Sequence, residues 1–340
     1  MITMEDIAKI CGVSKATVSR VLNDKPDGVG AETRERIKKV IKEMEYRPNN
    51  LAQSIVNRRT KTIGLILPNI DNPFFPMIVH GVENYTSKKD YTVILGITDD
   101  NAEKEYKYMS TFISKRIDGV LLASVTSGGN ESIQMLDRYN VPCVLLDRDL
   151  ESTENIPGVF VDNQYATGIA CEMLIKSGNR NIAFVSGPAH LKTSKERLEG
   201  FKLKLEEYGI PFCSDLLCYG DFSFESGYQA VCQLMDKECR FTAMLASNDA
   251  MAIGAMKALK EKGIKIPDEL EIIGFDNIYM SGICEPALTT VNQPTYEMGK
   301  TAAEMLLKLI EGDKLAKKIH RIKTEMVIRD STKKYRSKEI

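Results

Sequence analysis

The sequence predicts an α/β protein with a small, all-helical head. Three observations carry that expectation. Residues 1–46 read as three short helices joined by tight bends. From residue 61 onward, strand-sized apolar runs alternate with amphipathic helices of ten or more residues, the pattern of parallel sheets wound through βαβ units. Charge divides the chain the same way. Residues 1–60 hold twelve Lys/Arg against eight Asp/Glu, while the 340-residue chain as a whole carries −1. A basic head on an acidic body points to a nucleic-acid contact confined to the head.

The first helix, "MEDIAKIC", opens with Thr3 as N-cap and Asp6 in its first turn, and Ile7, Ala8 and Ile10 are expected on its inner side. Gly12 suits the tight turn that follows, and Ser14 caps a second helix within "GVSKATVSRVLN". At 100° per residue, Lys15, Ala16, Ser19, Arg20 and Asn23 span roughly 140° of arc, with Val18, Val21 and Leu22 opposite. One half of this helix is built for burial, and the other is small or polar and bears two cations. Two short helices across so brief a bend form the helix-turn-helix pattern, whose second helix enters the major groove. A plain helical bundle is the competing reading. The third helix, "AETRERIKKVIKEMEY", sets Ile37, Val40, Ile41 and Met44 at helical spacing to close the core.

Pro48 ends that helix, and Asn49 or Asn50 can cap a further one over about 50–56. A helix this short is marginal in water unless something packs on it, so a linker without DNA and a helix with DNA are both consistent with the sequence.

In the body, "IGLILP", "TVILGI", "GVLLAS", "CVLLD", "NIAFVSG", "AMLAS" and "EIIGFD" are the expected strands. Helices are expected around 74–88, 102–115, 131–139, 163–177, 193–208, 224–238 and 249–262. Ligands in such sheets sit beyond the carboxyl ends of the strands. The segments there, "IDNPFFP", "LDRD", "VDNQ", "TSKERLEGF", "GDFSF", "ASNDAMA", "IGFDN" and "VNQP", repeatedly combine charged, amide and aromatic groups. That mixture suits a polyhydroxylated ligand, with aromatic faces against C–H faces and Asp, Asn and Arg bonding the hydroxyls. A helix-capping Asn or Asp after a strand is the plainer reading of each residue taken alone.

Other classes find little support. The eight cysteines lack metal-ligand spacing and read as free thiols of a reducing cytosol. His80, His190 and His320 stand in unrelated surroundings. No apolar run approaches a membrane span, and the N-terminal residues do not read as a signal peptide, so a cytoplasmic location is expected. Without a Gly-rich phosphate loop, a nucleophile arrangement or a metal cluster, neither an enzyme nor a resident cofactor is expected.

"TMEDIAKICGVSKATVSRVLN" followed by "ETRERIKKVIKEMEYRPNNLAQSI" closely resembles the headpiece of the LacI/GalR family of bacterial repressors. The resemblance implies that Lys15, Ala16 and Arg20 read base edges, with Arg20 the candidate for a bidentate contact to guanine. Thr17, Ser19 and Asn23 fall at backbone-contacting or supporting positions, and Thr3, Ser14 and Asn49 join them. Residues 50–56 match the family's hinge helix, and Ile55 stands where the family wedges a leucine into the minor groove.

The body resembles the periplasmic sugar-binding-protein fold that forms the family's two-lobed core, and its pocket resembles that of ribose-binding proteins. By that resemblance Phe75 and Phe222 sandwich a sugar ring and Phe74 helps to cover it. Asp147 with Arg148, and Asp276 with Arg197, bond its hydroxyls as paired charges. Asn72, Asn163, Asn248 and Gln293 complete the set. The domains expected are a DNA-binding headpiece over 1–48, hinge helix and linker over 49–60, an effector-binding and dimerisation core over 61–330, and a polar tail over 331–340. Lobe 1 takes about 61–161 and 292–321, and lobe 2 about 162–291 and 322–330, with crossings near 161, 291 and 321. The function implied is that of a homodimeric repressor of a carbohydrate-utilisation operon. It binds a palindromic operator and is controlled by ribose or a related free pentose. The alternative is a catabolite-control regulator with a phosphorylated carrier protein as corepressor.

Overall fold

The structure, a computed structural model, describes residues 2–22, 24, 27–46, 59–123, 129–149 and 156–333. Asn23, Asn49, Ile55, the hinge helix and residues 334–340 of the tail lie outside the described residues. The chain forms two compact units, Met1–Thr60 and Lys61–Ile340.

In the first unit, α1 (Met4–Cys11) starts with a reciprocal cap. The Asp6 N–H donates to Thr3 Oγ1 at 3.3 Å, and the Thr3 N–H donates to Asp6 Oδ2 at 2.9 Å. Gly12 ends the helix at φ 59°, in the left-handed region that favours glycine. For α2 (Lys15–Leu22), Ser14 Oγ accepts the Thr17 N–H at 3.1 Å. Against these packs α3 (Ala31–Glu43). Ile7, Ala8, Cys11, Val18, Val21 and Ile37 form the buried core, with Leu22, Val40 and Ile41 around it.

Two expected core residues are not in it. Ile10 is 52% exposed and Met44 40% exposed. Ala8 and Cys11 lie about 100° and 40° to one side of Ile7, and Ile10 about 60° to the other. The partner helices meet α1 on the first side, so Ile10 faces water. Met44 lies past the end of α3, which stops at Glu43.

The second unit holds two six-stranded sheets. Its elements in chain order are β1 (Thr62–Leu67), α4 (Phe74–Thr86), β2 (Thr92–Ile97), α5 (Ala102–Ser114), β3 (Gly119–Leu122), α6 (Gly129–Arg138), β4 (Cys143–Leu146) and β5 (Gly158–Val161). Then follow α7 (Asn163–Lys176), β6 (Ile182–Ser186), α8 (Lys192–Glu207), β7 (Leu217–Tyr219), α9 (Phe224–Asp236), β8 (Ala243–Ala246), α10 (Asp249–Glu261), β9 (Glu271–Asp276) and β10 (Thr289–Asn292). The last are α11 (Thr295–Glu311), β11 (Ile319–Ile322) and β12 (Glu325–Val327). Lobe 1 has the parallel order β11-β5-β4-β3-β1-β2. Lobe 2 has the order β12-β10-β9-β8-β6-β7, with β12 alone antiparallel, against β10. The chain passes between the sheets after Val161, between Asn292 and Thr295, and between Ile322 and Glu325.

Every strand read from the sequence is present, and so are the helices between them. The sequence reading omitted β5, β7, β10, β11 and β12, each of three or four residues, and the 17-residue α11. Strands so short show no resolvable period, and β10, β11 and β12 also lack the continuous apolar run that marks the equally short β3, β4 and β8. In α11 the inner face sets Gly299, Ala302 and Ala303 beside Met298, Met305, Leu306 and Leu307, an amphipathic pattern that the sequence reading passed over. The small residues have a physical role. A Cβ on Gly299 would lie 2.2 Å from the Ile78 carbonyl oxygen, and one on Gly81 would lie 2.1 Å from that of Tyr296. Helices α4 and α11 therefore cross in backbone contact. Among the described residues, no helix is long and apolar enough to cross a membrane.

Candidate functional site

Between the lobes, at the carboxyl ends of the strands, lies a narrow, partly open cavity. Lobe 1 contributes Asn72, Phe74 and Phe75 after β1, and Asp147 and Arg148 after β4. Lobe 2 contributes Phe222, Asn248 and Asp276 after β7, β8 and within the end of β9, with Arg197 and Thr193 from α8 and Gln293 after β10. Asn163 is the one expected residue outside this lining. It borders an adjoining cavity and reaches the first through Arg197, whose Nε–H donates to Asn163 Oδ1 at 2.9 Å. Thr193 lines both cavities and was not singled out from sequence, although it stands inside the quoted "TSKERLEGF".

The apolar walls are fixed in place. Phe74 and Phe75 are buried and meet edge to face, with centroids 5.1 Å apart and an interplanar angle of 84°. Asn72 Oδ1 accepts the Phe74 N–H at 3.0 Å and so anchors the start of α4. Phe222 faces them from lobe 2, its ring against Gly187, where a Cβ would come within 2.1 Å of the ring. Asn248 caps α10 by accepting the Met251 N–H at 2.9 Å and donates Nδ2–H to the Phe222 carbonyl at 2.9 Å. Its cap and its place at the cavity are thus compatible.

The charged groups are arranged differently from the sequence expectation. Arg148 forms its ion pair with Asp100 rather than with its neighbour Asp147. Asp147 has φ 66°, and Arg197 is the cation that most favours its ionised form. Burial nevertheless raises the Asp147 carboxyl above the usual range. The direct bonds of Arg197 go to Asn163 Oδ1 and to the Ser247 carbonyl, and its guanidinium stacks 3.9 Å from the Phe275 ring centroid. Its tie to Asp276 is one of charge. Burial pushes Asp276 well above the normal carboxylate range, opposed first by Arg197 and also by a 2.7 Å bond donated by Gln293 Nε2. Gln293 Oε1 is buried without a protein partner. A buried carbonyl oxygen in that condition calls for a donor from whatever fills the cavity.

Backbone strain gathers at the same rim. Asp147, Phe222, Asp276 and Asn277 have φ of 66°, 68°, 123° and 60°. Each such residue costs about 1–3 kcal/mol unless its surroundings over-determine it. For the Asp276 turn that support is Asp249, fully buried, which accepts the Ile278 N–H at 2.9 Å and the hydroxyls of Ser281 and Thr290. No pattern in the sequence marks these backbone conformations.

In the head, Lys15, Ala16 and Arg20 are exposed on α2, Thr17 and Ser19 are half-buried, and Val18 and Val21 are buried on the opposite side. The Arg20 guanidinium lies over Gly28. The hydroxyls of Thr3 and Ser14 are engaged in helix capping, and Ser14 Oγ also meets Thr17 Oγ1 at 2.9 Å.

A helix-turn-helix unit in one chain with a two-lobed cleft lined by aromatic, amide and charged groups defines a DNA-binding regulator with an effector domain. Comparison with known proteins gives the same answer. Residues 3–49 match bacterial regulatory proteins of the lacI family, and residues 60–331 match periplasmic binding proteins and the sugar binding domain of the LacI family. The chain belongs to the LacI family of bacterial regulators. It is 38% identical to the ribose operon repressor of Halalkalibacterium halodurans, over 98% of each chain. It is 35% identical to catabolite control protein A of Priestia megaterium, over 98% of this chain and 99% of the relative. Among solved structures, the lac repressor dimer bound to operator and an anti-inducer is similar at TM-score 0.89, with 27% identity over 97% of this chain and 99% of that one. A LacI family regulator of Enterococcus faecium with bound ribose is similar at TM-score 0.72, with 30% identity over 80% of this chain and 98% of that one.

Proposed function

We propose that this protein is a cytoplasmic, homodimeric repressor of a carbohydrate-utilisation operon, controlled by free ribose or a closely related pentose. The observation that carries the effector class is the small cavity with phenylalanines from both lobes and, in its lining, Gln293 with its buried, unpartnered Oε1. A hydroxyl donor satisfies that oxygen, and aromatic faces suit the C–H faces of a sugar ring. The likeness to a ribose operon repressor and to a ribose-bound regulator supports a pentose. In this reading the headpiece spans 1–48, the hinge 49–60 and the effector core 61–330.

Screening the full-length protein by thermal shift against pentoses, hexoses and their phosphates tests the effector. A ligand at a hundred times its dissociation constant adds about 2.7 kcal/mol. That should raise the melting temperature by about 5 °C in a core of this size. Selective movement with ribose or a neighbour is the expected result. The likeness to catabolite control protein A supports a second reading, in which a phosphorylated carrier protein is the corepressor. Melting that no sugar alters favours that reading.

On DNA, α2 lies in the major groove of a palindromic operator, with Lys15, Ala16 and Arg20 toward base edges and Ile55 at the minor groove. Arg20→Ala should reduce the preference of the dimer for operator over random DNA by about 2–6 kcal/mol, the worth of two bidentate base contacts, one in each half-site. Fluorescence anisotropy at fixed salt measures it, and sugar affinity should stay as it was. Unchanged preference would remove Arg20 from base reading.

A further inference from the structure

Beside the main cavity, a second, smaller one is lined largely by charged groups from both lobes. Asp149 follows β4 in lobe 1, and Lys192 opens α8 in lobe 2. Across the cleft, Lys192 Nζ donates to Asp149 Oδ1 at 2.6 Å, with side chains 33% and 28% exposed. The same ammonium stands 4.0 Å from Glu196 Oε1. The other oxygen of Glu196 accepts from Asn163 Nδ2 at 2.9 Å, and Asn163 Oδ1 accepts from Arg197 Nε at 2.9 Å. A continuous chain of polar contacts therefore runs from the guanidinium at the effector cavity to an ion pair that joins the lobes. Arg321 and Asp147 also line this second cavity, so three carboxylates and one further cation share it with the ammonium.

We propose that Asp149, Lys192 and Glu196 are positioning residues of the effector site: the Asp149–Lys192 pair latches the cleft, and Glu196 holds Asn163 so that Arg197 keeps its aim. An ion pair of this exposure cannot contribute much to global stability. Its leverage lies elsewhere, because it exists only when the lobes are together. Any bond present in one arrangement of the lobes and absent in the other shifts the population available to a ligand that needs the closed cleft. The chain through Glu196 and Asn163 makes that shift reciprocal, since a ligand on Arg197 and a closed latch stabilise the same arrangement.

The inference rests on the effector reading above, and its test separates the two. Binding of ribose to the full-length protein is followed by calorimetry. Lys192→Met and Asp149→Asn should each weaken it by about two- to fivefold. The double variant should be no weaker than either single one, as expected for partners in one bond. Lys192→Arg should retain the parent affinity, and Glu196→Gln, which keeps the acceptor for Asn163, should bind better than Glu196→Ala. Additive losses in the double variant, or unchanged affinity in both single variants, overturn the latch. A parent protein that binds no pentose would instead overturn the effector reading. The latch is then judged by small-angle scattering of the sugar-free protein. A larger radius of gyration in Lys192→Met and Asp149→Asn than in the parent supports it, and superimposable profiles overturn it.

Discussion

Replacing Arg197 by alanine is expected to abolish the effector response while leaving operator binding in place. Arg197 is 5% exposed and donates in two directions, to Asn163 and to the Ser247 carbonyl, while its plane covers Phe275. It is also the cation that most favours the ionised forms of both Asp147 and Asp276. Its removal leaves two buried carboxylates without their principal counter-charge, a loss of about 3–5 kcal/mol when one partner of a buried pair is deleted. That cost falls on the stability of the core; the lost charge-assisted hydrogen bonds, about 1.5–3 kcal/mol, should lower ribose affinity by about ten- to a hundredfold. The headpiece is a separate compact unit, so sugar-free operator affinity should stay near the parent value. Calorimetry for the sugar and anisotropy for the operator give the two numbers. Arg197→Lys should fail almost as badly, since an ammonium can neither stack on Phe275 nor donate along two fixed directions. A variant that still binds sugar normally would place the effector elsewhere.

Gly299→Val is expected to destabilise the core by at least about 3 kcal/mol, the upper range for overpacking, because the obstacle is backbone and not a movable side chain. Its Cβ would meet the Ile78 carbonyl at 2.2 Å, and on the facing helix Gly81 stands equally close to Tyr296. Neither helix can yield alone. Forcing them apart would open the layer formed by Ile78, Val82, Met298, Ala302 and Leu306 over the first sheet. A urea titration should show the midpoint falling with little change in slope. A midpoint within experimental error of the parent would mean that the two helices do not cross in this way.

What the sequence made legible follows from the scale of its signals. Strands such as "IGLILP" and "EIIGFD" are long enough and apolar enough to stand out, and parallel winding then places whatever follows them at one edge of a sheet. For that reason the segments that hold Phe75, Asp147, Asn248 and Asp276 could be grouped before any coordinates, and the resemblance to ribose-binding proteins singled out the residues themselves. Their partners could not be read the same way. Arg148 lies next to Asp147 in the chain, yet its ion pair is with Asp100, 48 residues away. Asn163 looked equivalent to its companions and stands one bond behind them, supporting Arg197. The four strained residues at the rim carry no compositional mark, because aspartate, asparagine and phenylalanine in left-handed conformations are held there by tertiary contacts such as those of Asp249. In the head, helical spacing offered two shoulders beside Ile7, and only the packing of α2 and α3 decided that Cys11 and not Ile10 would be covered.

The three passages between the sheets also set an order of assembly on the ribosome. Lobe 2 takes β6 to β10 from one unbroken stretch, 182–292, and awaits only its edge strand β12. Lobe 1 begins first but finishes late. Its sheet lacks β11 until residues 319–322 are made, and α11, which covers β3, β4 and β5, arrives only at 295–311. The half of the core translated first must therefore wait, one apolar face covered only in part by α4, for the half translated after it. During that interval nascent chains of this protein are most exposed to chaperones and to one another.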